Sequence, residues 1–72
     1  MKYTGMTVNE RLWVSGLFEE FESAIRNKNV KRAVEILRSV ELDDESIRAN
    51  LEVSGIEANL YDNIIKNVED PK

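Results

Sequence analysis

The chain has 72 residues, no cysteine and no histidine, and a net charge of −4. That composition excludes disulfides and thiolate metal sites, and it removes the commonest general base and the commonest transition-metal ligand together. The length bounds the molecule to one small domain with a modest core.

In chain order, residues 1–6 lack periodicity and are expected to be a flexible tail ahead of a helical domain over 7–70. The segment MKYTGMTVNERL holds one lysine and no apolar stretch, so it is not expected to act as a signal peptide. Thr7-Val8-Asn9-Glu10 matches a capping box, in which a Thr hydroxyl and a Glu carboxylate satisfy free backbone N–H groups reciprocally. The helix expected after it places Leu17, Phe18, Phe21, Ala24 and Ile25 on one stripe, extended upward by Trp13 and Val14 and widened by Leu12. Gly16 then falls mid-helix, a cost of up to about 1 kcal/mol that a close helix crossing would explain.

Asn27-Lys28-Asn29 breaks the pattern, and Asn29 is a suitable N-cap. Val30, Ala33, Val34, Leu37 and Val40 form the second stripe, with Ile36 at its flank. This helix is short and has to be held by packing rather than propensity. Next comes the acidic stretch Glu41-Leu42-Asp43-Asp44-Glu45. Carboxylates at a cap and in a first turn satisfy free N–H groups and favour the positive end of the helix dipole. An EF-hand loop would need oxygens at alternating positions and a central glycine, so no metal is assigned to this lip. Ile47 and Leu51 mark the third helix, Ser54-Gly55 its end, and Ile56 the apolar partner of that end. Leu60, Tyr61, Ile64, Ile65 and Val68 form the last stripe, followed by Pro71. The sum is an all-α, single-domain bundle of four short helices.

Nothing in the motifs points to catalysis. The serines have no histidine to activate them, the three glycines are too scattered for a phosphate loop, and the acids of the first helix have basic neighbours at helical spacing. The chain is therefore read as no enzyme, with no cofactor. The last two helices resemble a helix-turn-helix in outline. Leu51 stands where its tight turn wants a small residue, and IEANLYDNIIKN offers phosphates Glu57 and Asp62 against the single cation Lys66. No nucleic-acid partner is expected, and no run is long and apolar enough to span a membrane, so the location expected is cytoplasmic.

The charge is uneven. Residues 1–40 hold seven basic and five acidic side chains (+2), whereas residues 41–72 hold three and nine (−6). An acidic half steers toward a basic protein surface. The candidate partner-binding residues are Glu41, Asp43, Asp44, Glu45, Glu57, Tyr61 and Asp62, with Tyr61 as the aromatic anchor. Leu12, Trp13, Ile36 and Met6 exceed what one narrow stripe needs, which makes a self-associating, homodimeric module the alternative, and a helix-turn-helix-like regulator a weaker one.

Residues 9–42, NERLWVSGLFEEFESAIRNKNVKRAVEILRSVEL, resemble small bacterial all-helical proteins with an N-E-R-L…SGL…F..A…IL..VEL pattern. Some of these are associated with toxin immunity. The matching positions are mostly core positions, so the resemblance implies fold more than function, and no binding residue carries over. It implies an immunity or inhibitor protein whose acidic half faces a basic toxin.

Overall fold

The computed structural model describes residues 3–69. Five helices follow one another: α1 (Val8–Ser15), α2 (Phe18–Arg26), α3 (Val30–Ser39), α4 (Asp44–Val53) and α5 (Ala58–Glu69). The described residues contain no strand. The all-α expectation holds, but the helix count is five, not four.

The extra helix arises at Gly16. The expected first helix is two, because Gly16 adopts φ +79° and closes α1. No atom beyond the adjoining residues lies within 4 Å of where its Cβ would be, so the glycine serves backbone conformation and not a close helix crossing. Its N–H donates to the Trp13 carbonyl and the next N–H, of Leu17, to the Leu12 carbonyl. This pair of bonds is a Schellman closure.

The same closure recurs three times. Asn29 N–H reaches Ala24 O, Leu42 N–H reaches Leu37 O and Ile56 N–H reaches Leu51 O, each preceded by a residue at positive φ: Lys28 (57°), Glu41 (68°) and Gly55 (90°). The Ser54-Gly55-Ile56 expectation is met, with Ile56 buried.

Helix starts follow the sequence closely. Thr7 Oγ1 accepts from Glu10 N–H at 3.2 Å, and Glu10 Oε1 accepts from Thr7 N–H at 3.0 Å, completing the capping box. Asn29 caps α3 through Arg32 N–H, and Asp43 caps α4 through Ser46 N–H.

Helix α3 is the central strut. It packs against α2, α4 and α5, while α1 packs on α2 and α4 on α5. Being covered on several sides, it buries Val30, Ala33, Val34, Leu37 and Val40, and Ile36 as well, although Ile36 was placed at the stripe's edge. Leu12, Ile47, Leu51 and Ile65 complete the fully buried set.

The N-terminal segment differs from a bare tail. Tyr3 is only 6% exposed and joins the core cluster, and Met6 N–H donates to its carbonyl at 3.0 Å. Arg11 lies over the Tyr3 ring, 5.9 Å from its centre. Residues 1–2 and 70–72, Pro71 among them, and the side chains of residues 67–69, Val68 among them, lie outside the described residues. No helix is long and apolar enough to cross a membrane among the described residues.

Candidate partner-binding surfaces

The acidic lip forms the corner between α3 and α4. Glu41 closes α3 in the left-handed conformation, and its side chain is exposed. Two carbonyls at this corner, Val40 O and Glu41 O, accept from the Arg11 guanidinium at 3.1 and 3.3 Å, while Arg11 Nε donates to Met6 O at 3.2 Å. A cation at a helix C-terminus satisfies unpaired carbonyls and suits the negative pole of the dipole. Arg11 therefore ties the start of α1 and the N-terminal segment to the lip. Charge counting alone passes over it, because its work is done on backbone oxygens.

The seven sequence candidates separate into three kinds. Glu41, Glu45 and Glu57 are exposed, and their side chains make no ion pair among the described residues. Asp43, Asp44 and Asp62 work within the fold. The Ser46 hydroxyl and then its backbone N–H, both donating to Asp43, hold that carboxyl below the usual carboxylate range. Asp44 pairs with Arg38 at 2.8 Å, and Asp62 with Arg48 Nε at 3.0 Å. Tyr61, expected as a surface anchor, is only 5% exposed and belongs to the core cluster. Its position on α5 at the helical spacing of Ile65 turns the ring inward.

Glu41 and Asp43 share one feature that the α5 residues do not. They line a groove of about 540 Å³ between the start of α1 and the α3–α4 corner, whose walls include Met6, Val8, Leu42 and Asn50. Its lining mixes apolar Met6, Val8, Leu42 and Ala49 with polar Thr7, Ser46 and Asn50 and with the charged Arg11, Glu41 and Asp43. Asp44, Glu45, Glu57, Tyr61 and Asp62 do not line it.

A second surface was legible in the sequence only as surplus apolar residues. Trp13 is 66% exposed and Val14 60%, so neither extends the core stripe as expected. The Trp13 ring stacks on Phe18, with ring centres 4.8 Å apart and planes 10° from parallel. A notch of about 140 Å³ beside them is lined by Leu12, Gly16 and Glu19 as well. The available signal was Gly16: a break there re-phases everything before it, taking Leu12 inside and Trp13 outside. Of the four residues counted as surplus apolar surface, Leu12 and Ile36 are buried and Met6 is half-buried, leaving Trp13 outside.

Among the described residues no group of three or more acidic side chains is placed to hold a metal ion. No family model, curated protein or solved structure matches the chain. The resemblance over residues 9–42 is therefore carried by the sequence pattern alone.

Proposed function

We propose that this chain is a small acidic protein-binding domain that acts by surface complementarity and performs no chemistry of its own. Its partner is a basic protein. The observation that carries this reading is the groove beside the α3–α4 corner, where apolar Met6, Val8 and Leu42 stand beside the acids Glu41 and Asp43, and where Arg11 is turned to backbone carbonyls. Interfaces draw affinity from apolar surface that is covered on binding, and complementary charge adds specificity and association rate. The corner is also braced by Arg11 and by the α4 cap, so little ordering is needed on binding.

The specific form of the proposal is an immunity or inhibitor protein that neutralises a basic bacterial toxin by occlusion. It rests on the acidic second half of the chain and on the sequence resemblance. Glu41, Glu45 and Glu57 supply the free charge; Tyr61 supports α5 from within rather than touching the partner.

A second reading has its own observation. The exposed Trp13 and Val14, beside the half-buried Phe18, favour self-association, since a small domain gains core by pairing. Light scattering across a dilution series separates the two. A mass of 8.3 kDa at every concentration is expected for the binding domain. A mass that doubles with concentration would transfer the proposal to the homodimeric module.

A further inference from the structure

The elbow between α1 and α2 brings three features together. Trp13 stacks on Phe18 yet stays mostly open to solvent. Glu19, on the wall of the adjoining notch, is exposed and makes no hydrogen bond or ion pair among the described residues. The last turn of α1 carries no basic residue, so the negative pole of that helix at Gly16 is answered by backbone N–H groups and the Ser15 hydroxyl and by no cation of its own turn. The positive pole of α2 meets the same elbow, but Glu19 and Glu20 in its first turn answer it. Between Leu12 and Ile25 the sequence contains three glutamates and no lysine or arginine.

The notch is the size of a single side chain: about 140 Å³, where an apolar cavity of about 150 Å³ admits one benzene-sized group. Indole is the strongest aromatic platform for a cation, and a planar guanidinium can stack on it while pairing with a carboxylate.

We infer that the α1–α2 elbow is a receptor for one arginine side chain of a basic protein partner, with Trp13 as the stacking platform and Glu19 as the counter-charge. The inference rests on the reading of a basic partner, but on a surface separate from the Glu41–Glu45 lip. It accounts for an exposed, stacked Trp in a chain too small to expose large apolar groups without cost. Arginine is favoured over lysine because its guanidinium presents a flat face to the ring and a fork to the carboxylate.

Trp13 is the only tryptophan in the chain, so its emission reports this site alone. The probe is an acetylated, amidated tetra-arginine peptide, with tetra-citrulline as its neutral analogue of nearly the same shape. The expected result is a saturable emission change with tetra-arginine and none with tetra-citrulline. Glu19→Gln should weaken the response about two- to fivefold, the range of one exposed cation–π contact or surface ion pair. Glu52→Gln removes an exposed acid on α4, which packs on α3 and α5, and should bind as the wild type does. Far-UV circular dichroism confirms that each variant is folded. No saturable change, an equal change with citrulline, or a Glu19→Gln response equal to wild type each overturns the inference. An emission change produced by raising the protein concentration alone overturns it too, because a second copy would then cover Trp13. If Glu41→Gln/Glu45→Gln/Glu57→Gln abolishes the response while Glu19→Gln keeps it, the elbow is refuted and the lip reading stands.

Discussion

Two residues carry backbone strain that a glycine would relieve. Lys28 and Glu41 hold positive φ at helix ends where Gly16 and Gly55 do the same work elsewhere in the chain. A left-handed conformation costs a residue with a Cβ roughly 1–2 kcal/mol, while glycine gives back roughly 0.5–1 kcal/mol through its freer unfolded state. Lys28→Gly and Glu41→Gly should each stabilise by about 0.5 kcal/mol in urea melts on this balance. Gly55→Ala should destabilise by about 1 kcal/mol, through φ alone, since nothing lies near the added methyl. If Glu41→Gly stabilises the fold while weakening partner binding, the strained glutamate is kept for its charge. Asp43 makes a pH prediction. Its folded pKa is depressed, so its contribution is present above the unfolded value and is lost as pH falls through the folded one. An acid melt of Asp43→Asn, which keeps a capping oxygen, should therefore be flatter in that range than the wild-type melt.

At the scale of elements, the chain is punctuated by one device used four times. Every described helix before α5 ends in a Schellman closure, and in three of them the residue that follows the left-handed position is apolar: Leu17, Leu42 and Ile56. The sequence made Gly55 legible, because a serine and a glycine followed a periodic run. It made the other two non-glycine closures illegible, because Lys28 and Glu41 are not residues that announce positive φ. Gly16 was visible but misread. A helix was extended through it, since apolar residues continued on both sides. The caps were the most legible features, because Thr7, Asn29 and Asp43 each satisfy N–H groups within three residues of themselves. The Arg11 tether was illegible for the opposite reason: its acceptors Val40 O and Glu41 O lie 29 and 30 residues away. Arg11→Met should cost about 2 kcal/mol, the range for hydrogen bonds to a charged group. Hydrogen exchange should quicken at both ends of the tether, near Met6 and at the α3–α4 corner. Faster exchange at Met6 alone would mean that the corner stands without Arg11.

For the whole molecule, one helix decides stability. α3 is packed by three others, so truncating Leu37 to alanine should cost about 3 kcal/mol, most of what a core of this size supplies. Trp13→Ser should cost no more than about 1 kcal/mol, the value of its stack on Phe18. A Trp13 loss as large as that of Leu37 in thermal melts would place the indole in a core, contrary to its exposure. The fold class and the α3 stripe were legible in the sequence because period and burial agree there. The candidate site was legible only in outline. Charge density located the lip, but charge density cannot tell a free carboxylate from one spent on a cap or an ion pair. Asp43, Asp44 and Asp62 are spent in that way, and Glu41, Glu45 and Glu57 make no ion pair among the described residues. The direct test of a lip that binds a basic protein is therefore capture from the source cell's lysate on the immobilised chain, eluted by a salt gradient and identified by mass. Wild type and Glu41→Gln/Glu45→Gln/Glu57→Gln are run side by side. A basic protein held by the wild type, and released at clearly lower salt from the triple variant, is the predicted result. Equal retention on both, or no basic protein on either, would contradict the account.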